Sequence, residues 1–354
     1  MKYDYRFSLE FDLINKILFN EDFNSEEKLI FKKVNYETFV EISSNELILP
    51  AIYSNLKIKN HLNLIPGELE KYLSEIFEIN FNRNKKIINE AKEISKLLSY
   101  NKINYVFFKG VANLFYQIYN NIGERMIGDI DFLFDFKQKE KLESILKSEN
   151  YKTKLKFQFY ESRHLPRSYK ENNLSAIEPH TKLFDCNGLI NHSNIMLKNK
   201  ITVKGINIPE KNCLLRNNIY NSEINDKSSL FLRYNYRSIY DTFMIIKNQK
   251  IPINNLKKTK HIENYFCRAN KIQDNLFDYT KQNLFSFIKI RILFRKKIPL
   301  YYYFEFFFIL ALDEVKKYKI RPRQFFGLIT DKQYRKHLKV KILRKINFHK
   351  DSKY

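Results

Sequence analysis

The segment between residues 101 and 157 constrains the fold most, because the pattern there changes from helical periodicity to short apolar runs. Residues 103–108 are β-branched and aromatic and predict a strand, and residues 111–119 predict a helix packed against it. Residues 129–134 alternate acidic with apolar side chains and predict a second strand, and an amphipathic helix is predicted over residues 137–148. Strands and helices that alternate in this way indicate an α/β or α+β core.

Helical patterns lie on both sides of this core. Apolar residues recur at three- and four-residue spacing before residue 100, and they do so again from about residue 211. Further strands are predicted at residues 151–157 and 174–178. The predicted organisation is a helical N-terminal region over residues 1–100, a core over 101–210, a helical C-terminal region over 211–314 and a basic tail over 315–354.

The chain is strongly basic, with 63 Lys and Arg against 39 Asp and Glu and a net charge of +24. A charge of this size attracts polyanions such as nucleic acid, nucleotides or an anionic membrane surface. Half of it lies in residues 315–354, where 14 basic residues accompany Asp331 and Asp351. Such a tail is typical of a solvated arm, and the alternative is an arm that binds nucleic acid or an anionic surface.

The cysteines and the apolar segments of the sequence indicate the cellular compartment in which the protein is expected. Cys186, Cys213 and Cys267 form no CxxC pair, which argues against a zinc ribbon or a disulfide framework. The most apolar stretch, residues 300–312, has about 13 residues where a spanning helix needs roughly 20, and Glu305 interrupts it. We expect a buried helix there, with contact to a membrane surface as the alternative. Because a signal-peptide pattern is also lacking, the sequence predicts a cytoplasmic protein without a transmembrane segment.

Asp129 and Asp131 are two residues apart on a predicted strand, so their side chains point to the same face, roughly 6–7 Å apart along it. Two carboxylates this close repel each other unless a cation lies between them or one is protonated. Mg²⁺ prefers oxygen ligands and commonly bridges a carboxylate and substrate phosphates. The spacing alone is not specific, because Glu10 and Asp12 share it. The surroundings of the pair therefore decide whether it predicts a metal site.

Three residues around the pair favour such a site. Lys109 and Gly110 form a turn between the first predicted strand and its helix, and Arg125 precedes Asp129 by four residues. A glycine lets backbone amides approach a phosphate closely, and the start of a helix favours an anion. Lys109 and Arg125 carry charge that would neutralise a triphosphate. We therefore predict Lys109, Gly110 and Arg125 as nucleotide-binding residues, although each one alone is typical of a surface or turn position.

Two stretches resemble the bacterial uncharacterised nucleotidyltransferase family: residues 107–110, Phe-Phe-Lys-Gly, and residues 125–133, Arg-Met-Ile-Gly-Asp-Ile-Asp-Phe-Leu. The resemblance continues in residues 163–166 and 177–180, where a His-x-Pro segment precedes an acid-x-His strand. That family belongs to the DNA polymerase β-like nucleotidyltransferase superfamily. The resemblance therefore implies a polymerase β-like core with a mixed sheet, flanked by N- and C-terminal helical regions.

The same resemblance implies a reaction and its residues. A nucleoside monophosphate would pass from an NTP, such as ATP, to an unknown acceptor, with Mg²⁺ or Mn²⁺ held by Asp129, Asp131 and Glu178. Glu178 matches the third carboxylate of the family, and Asp185 is its rival. The nearby histidines, His180 and His164, are predicted to touch substrate or to orient a carboxylate, and a purely structural histidine is the alternative for each.

The chain departs from the superfamily pattern at three positions. Val111 follows Gly110 where glycine or serine is usual, and Thr181 stands where an aromatic residue usually follows the histidine. Pro179 replaces an ordinary strand residue, which suggests an edge strand or a bulge. One alternative function is therefore a catalytically inactive, basic nucleic-acid-binding or scaffold protein on the same fold. Another is a protein-modifying or toxin-type transferase with a protein or tRNA acceptor.

Overall fold

The computed structural model describes residues 8–153, 163–184, 189–253, 256, 259–273 and 276–279, together with single positions between 291 and 308. The chain divides into two compact units, one formed by residues 1–152 and 163–288 and the other by residues 153–162 and 289–354. The candidate site residues belong to the first unit. Asp185 and the basic tail lie outside the described residues.

Helices form the N-terminal side of the first unit. They are α1 (Leu9–Phe19), α2 (Ser25–Ile30), α3 (Tyr36–Asn45), α4 (Leu49–Ile58) and α5 (Gly67–Tyr100). Polar side chains fix where the first three begin, since Ser8, Asn24 and Asn35 each accept a backbone N–H at the N-cap. Pro50 lies in the first turn of α4, where its missing N–H has no helical partner to lose. The helical character predicted for this flank is confirmed.

A mixed five-stranded sheet forms the centre of the chain. Its strands are β1 (Tyr105–Phe107), β2 (Asp129–Phe134), β3 (Lys152–Thr153), β4 (Ser168–Tyr169) and β5 (Ala176–His180), in the order β1-β2-β5-β4-β3. β2 runs antiparallel to β1 and parallel to β5, and β4 runs antiparallel to β5. The predicted mixed sheet is confirmed, and its neighbouring strands β2 and β5 carry the three predicted carboxylates. Of the strand predicted at residues 151–157, residues 154–157 lie outside the described part.

Pro179 lies in a central strand. β5 has β2 on one side and β4 on the other, so the edge-strand prediction for Pro179 is wrong. In the neighbouring segment, Ser168 pairs with Ile177 and His164 pairs with His180. The segment therefore advances by four residues over the length in which β5 advances by three. This extra residue is a bulge in the partner of β5. The N–H that proline lacks therefore falls where the ladder is already irregular.

Further helices complete the first unit. They are α6 (Lys109–Phe115), α7 (Lys139–Ser148), α8 (Ile190–Lys198), α9 (Lys211–Tyr220), α10 (Ser228–Phe231), α11 (Tyr236–Gln249) and α12 (Lys260–Ala269). Strands β6 (Lys200–Val203) and β7 (Ile206–Pro209) form a separate hairpin closed at Gly205, whose φ of 79° suits glycine. The C-terminal helical flank predicted from the sequence is thus confirmed in the described residues.

Strand β2 is buried on both faces. Ile130, Phe132, Leu133 and Phe134 are all 0 % exposed, so the strand consists of a nearly continuous apolar run, as expected for a strand with a parallel neighbour. Asp131 stands within this run at 4 % exposure. A carboxylate in such surroundings is costly unless partners of opposite charge or hydrogen-bond donors reach it.

The second unit is described at a few positions of the segment around residues 291–308. Arg291 donates to the carboxylate of Glu305, and both side chains are buried. Phe304 and Phe308 stack on each other and are 72 % and 56 % exposed. The buried-helix prediction is therefore wrong for these two phenylalanines. Among the described helices, none is both long and apolar enough to cross a bilayer.

Candidate functional site

The site is built on the parallel register of β2 and β5. Asp131 and Glu178 are Cα partners in this register, and Asp129 lies two residues before Asp131 on the same strand. Side chains two residues apart on a strand share a face, and so do partners on neighbouring strands. The chain thus brings together Asp129, Asp131 and Glu178, which the sequence predicted from two distant segments.

His180 joins the two buried carboxylates. Its Nε2 lies 2.9 Å from Asp131 Oδ1 and 3.1 Å from Glu178 Oε2. Because both neighbours are acceptors, Nε2 carries the hydrogen and the two oxygens share it. Nδ1 is buried and has no hydrogen-bond partner within the described part of the chain, and the ring packs edge-on against Phe108 at 4.9 Å between centroids. His180 therefore contacts both carboxylates on the face where it was predicted.

Lys109 contributes the first cation of the site. Its Nζ lies 2.7 Å from Asp131 Oδ1, and the lysine adopts a left-handed backbone with φ of 54° at the start of α6. The neighbouring backbone supports this arrangement, since the N–H of Phe108 donates to the Asp131 carbonyl over 3.2 Å. The turn predicted at this point therefore places a side-chain ammonium on the buried carboxylate.

Gly110 has a packing reason to be glycine. It is buried in α6, and a Cβ at this position would lie 2.8 Å from Cγ1 of Ile127. The strained backbone angle falls on Lys109 rather than on Gly110. The close approach that the structure shows at Gly110 is thus to the Ile127 side chain, while its predicted contact with a phosphate stays a prediction.

Arg167 supplies a second cation, which sequence reasoning missed. Its Nη2 lies 2.7 Å from Asp129 Oδ2 and its Nε donates to Glu178 Oε1 over 3.0 Å. The guanidinium therefore bridges two carboxylates from different strands, and the side chain is 53 % exposed. The available signal was its position directly after the predicted motif at residues 163–166, since no spacing rule relates Arg167 to Asp129.

His164 lies at the edge of this cluster. Its Nδ1 is 2.9 Å from the carbonyl oxygen of Leu165 and 3.6 Å from Glu178 Oε1. The ring centroid is 5.3 Å from that of His180, and the two residues form an isolated β-bridge. The structure thus brings both predicted histidines to Glu178, with His180 inside the cluster and His164 beside it.

The pKa values of the buried acids are displaced in the direction of the charged form. Burial opposes the ionisation of Glu178, but the hydrogen bond and charge of His180, together with Arg167, hold its pKa well below the usual range. Burial acts in the same sense on Asp131, where Lys109 and His180 outweigh it and lower the pKa. Both carboxylates are therefore ionised at neutral pH.

Asp129 behaves differently from its two neighbours. Burial, followed by the negative charge of Asp131, raises the pKa of Asp129, and the guanidinium of Arg167 offsets them only in part. The repulsion between Asp129 and its neighbouring carboxylates is therefore only partly compensated. A further cation placed between Asp129 and Asp131 would relieve it.

Arg125 lies in a buried network with Asp241 and Tyr119. Its Nε donates to the carboxylate of Asp241 over 2.9 Å, and its Nη1 donates to the carbonyl of Met126. The hydroxyl of Tyr119 donates to the other oxygen of Asp241 over 2.6 Å. The structure therefore does not bring the engaged Nε and Nη1 of Arg125 to the carboxylates, and its predicted nucleotide contact stays a prediction.

Helix α5 fixes the loop that leads into β2. Asn80 and Asn84 occupy buried positions on the helix, where periodicity predicts apolar residues. Asn80 Nδ2 donates to the carbonyls of Gly123 and Arg125 over 2.6 and 3.1 Å. Asn84 Nδ2 donates to those of Ile122 and Arg125 over 2.5 and 2.8 Å. These bonds satisfy buried carbonyls and set the position from which Asp129 begins its strand.

The family model described as an uncharacterised nucleotidyltransferase matches residues 32–212, which is more than half of the chain. The chain belongs to this nucleotidyltransferase family. The matched residues include β1, β2 and β5 and every predicted site residue. No curated protein shows a significant match.

Membership of the family supports nucleotidyl transfer as the type of reaction. The resemblance stated from residues 107–110 and 125–133 is confirmed at the level of the family. A second observation is independent of it, because the ligand atoms of Asp131, Glu178 and His180 all lie within 4.8 Å of one another. A buried group of this composition could hold a metal ion.

Proposed function

We propose that the chain transfers a nucleoside monophosphate from an NTP to an acceptor in a divalent-cation-dependent reaction of the polymerase β type. One observation carries the proposal: Asp131 and Glu178 face each other across parallel strands, and Asp129 is tied to Glu178 through Arg167. Three carboxylates converge there although they repel one another. Family membership supports the same reaction.

The donor set fits a hard divalent cation. Asp129, Asp131 and Glu178 offer carboxylate oxygens, which Mg²⁺ and Mn²⁺ prefer, and they would hold the ion. The lowered pKa values of Asp131 and Glu178 keep both in the form that binds a cation. When bound, the ion would neutralise phosphate charge and make the attacking hydroxyl more acidic.

The side chains around the carboxylates have distinct parts in the proposed reaction. The acceptor oxygen attacks the α-phosphorus of the NTP, the bond to pyrophosphate breaks, and pyrophosphate leaves. Glu178 is proposed as the general base that takes the hydroxyl proton. His180 holds Asp131 and Glu178 in place through its Nε2 hydrogen. Lys109, with 28 % of its side chain exposed, binds a phosphate oxygen while it keeps Asp131 oriented.

The remaining predicted residues receive supporting parts. Arg125 positions the loop before Asp129 through its pair with Asp241, and Gly110 lets α6 pack on Ile127. His164 flanks Glu178 and its ring is about one-third exposed, so we propose that it contacts the acceptor. The net charge of +24 supports a polyanionic partner, either the NTP itself or a nucleic-acid acceptor.

Labelling of a cell lysate tests the proposal and sorts the acceptor classes. The purified chain is mixed with lysate, MgCl₂ or MnCl₂ and each α-³²P-labelled NTP in turn, and the products are separated before and after nuclease or protease treatment. We expect transferred label with the wild type and loss of at least a hundredfold in Asp131→Asn. Asp135→Asn is the matched control, because Asp135 directly follows the same strand and caps the next turn.

Four outcomes decide the test. Label that disappears with protease assigns a protein acceptor, and label that disappears with nuclease assigns a nucleic acid. Equal labelling by the wild type and Asp131→Asn contradicts the proposal. A wild type that neither labels any acceptor nor binds an NTP in calorimetry, while it binds RNA with a steep salt dependence, indicates the inactive nucleic-acid-binding alternative.

A further inference from the structure

Arg167 occupies the carboxylate oxygens that the proposed cation needs. Its guanidinium contacts Asp129 Oδ2 and Glu178 Oε1, one on each of the two strands that form the site. Each of these oxygens belongs to a carboxylate, and a guanidinium and a divalent cation compete to bind it. The planar fork matches two oxygens at once, which makes arginine the side chain best suited to this bridging position.

The charges of the cluster indicate which ligand the Arg167 guanidinium binds once a divalent cation has displaced it from the carboxylates. Asp129, Asp131 and Glu178 carry three negative charges when ionised, and Lys109 and Arg167 carry two positive ones. The net charge of these five side chains is therefore minus one, and it becomes plus one when a divalent ion binds. A site with excess positive charge attracts a polyanion. A triphosphate presents that charge, on oxygens spaced to suit a guanidinium fork.

We propose that Arg167 is a ligand of the NTP phosphates, and that it exchanges the carboxylates of Asp129 and Glu178 for phosphate oxygens when the cation and the nucleotide bind. This assignment rests on the proposed nucleotidyltransferase function. It adds a substrate-binding residue in the segment that contains the β-bulge. Arg167 lies between the motifs at residues 163–166 and 177–180 and belongs to neither.

The neighbouring cations are less suited to this part. Arg125 is 11 % exposed and its Nε and Nη1 are engaged by Asp241 and the Met126 carbonyl. Lys109 is 28 % exposed and holds Asp131, which is itself buried. Arg167 is 53 % exposed, and its side chain is long and flexible enough to turn from the carboxylates to a ligand above them.

Two binding measurements on the full chain give effects of opposite sign. In the first, Mn²⁺ alone is titrated and followed by electron paramagnetic resonance. Arg167→Ala removes the competing cation, so we expect Mn²⁺ to bind about tenfold more tightly. In the second, a non-hydrolysable ATP analogue is titrated at saturating Mn²⁺. There we expect affinity to fall about 10- to 100-fold, since a hydrogen bond to a charged group contributes about that much.

Arg167→Lys and Lys170→Ala complete the design. Lysine keeps the charge but lacks the fork, so we expect Mn²⁺ affinity near that of the wild type and an ATP-analogue affinity reduced about tenfold. Lys170 lies three residues further along and pairs with Glu149, outside the carboxylate cluster. Its removal is expected to leave both affinities unchanged, and thermal unfolding of each variant establishes that it folds.

Unchanged affinity for the ATP analogue in Arg167→Ala overturns this assignment. So does a loss of Mn²⁺ affinity in that variant, since it assigns Arg167 to support of the carboxylates instead. Failure of the proposed function has a different signature. In that case Asp129→Asn combined with Asp131→Asn binds Mn²⁺ and the ATP analogue as the wild type does, whatever Arg167→Ala does.

Discussion

Asp131 lies directly opposite Glu178 in the parallel register of β2 and β5, and both side chains are less than one-tenth exposed. Two acids so placed would normally be avoided, because their like charges repel in a poorly solvated position. Here Lys109, His180 and Arg167 each contact one or both of them. Three side chains thus stabilise two adjacent buried carboxylates, an arrangement that a purely structural role would not require.

Lys109→Met is expected to destabilise the fold in a pH-dependent way. The variant leaves Asp131 without its ammonium partner, and we expect the free energy of unfolding at pH 7 to fall by about 1–3 kcal/mol. The pKa of Asp131 is lowered in the folded chain, so its stabilising contribution is present above the unfolded value of 3.8 and is lost as pH falls through the folded value. Urea unfolding at pH 7 and at about pH 2.5, below the unfolded value, should therefore show a stability difference between the wild type and the variant that narrows in acid.

A difference that widens as the pH falls would contradict this account of Lys109. Lys137→Met provides the control, because Lys137 is an exposed lysine after the same strand and has no part in the carboxylate cluster. Its free energy of unfolding should stay within about 0.5 kcal/mol of the wild type at both pH values.

Arg125→Met tests the buried network that Arg125 forms with Asp241. Removing one partner of a buried ion pair leaves the other charge uncompensated, so we expect a loss of about 3–5 kcal/mol in stability. Combining it with Asp241→Asn removes both charges, and part of that loss should be recovered. A double-mutant cycle by urea unfolding measures the coupling. Additive losses in the double variant would show that Arg125 and Asp241 do not act as a pair.

Gly110→Ala tests the close packing of α6 against the loop. The new Cβ would lie 2.8 Å from Cγ1 and 3.0 Å from Cδ1 of Ile127, so the helix or the loop must shift. We expect a loss of about 1–3 kcal/mol in the free energy of unfolding. Gly128→Ala is the matched control, since no atom lies within 4 Å of its added Cβ. Equal stability of the two variants would contradict the packing role of Gly110.

Lys59 gives a second pH dependence, remote from the site. Burial, followed by repulsion from Lys247, lowers the pKa of Lys59 from 10.5 to about 8. Between these pH values the unfolded chain binds more protons, so this group makes stability rise with pH there, and its cost is fully present below pH 8. The shift corresponds to about 3 kcal/mol.

Relative to the wild type, Lys59→Met should therefore have a higher free energy of unfolding at pH 7 than at pH 10.5. Urea unfolding at the two pH values measures this change. Lys57→Met, an exposed lysine on the same helix, is the control and should show no such change. A stability difference between Lys59→Met and the wild type that is constant from pH 7 to pH 10.5 would contradict the lowered pKa.

The sequence predicted the parts of the site that follow from local periodicity. Asp129 and Asp131 share a face because strand side chains alternate, and His180 joins Glu178 for the same reason. Arg167 could not be predicted in this way. Its contacts depend on how the chain returns past β5 and on the bulge opposite Pro179, and neither is encoded by a repeat of two or of 3.6 residues.

Asn80 and Asn84 show a second limit of periodicity. Both are on the buried stripe of α5, where a periodic pattern treats a polar residue as an interruption. Their partners are backbone carbonyls about 40 residues away, so their value appears only once the loop before β2 is in place. The edge-strand prediction for Pro179 was wrong for a related reason, because strand order is set by long-range pairing rather than by composition.

The most direct test of the central claim is a titration of Mn²⁺ followed by electron paramagnetic resonance on three chains: the wild type, Asp135→Asn, and Asp129→Asn combined with Asp131→Asn. The account predicts that the first two bind one or two ions with equal affinity and that the combined variant binds at least a hundredfold more weakly. Equal Mn²⁺ binding by all three chains would contradict a metal site on Asp129 and Asp131.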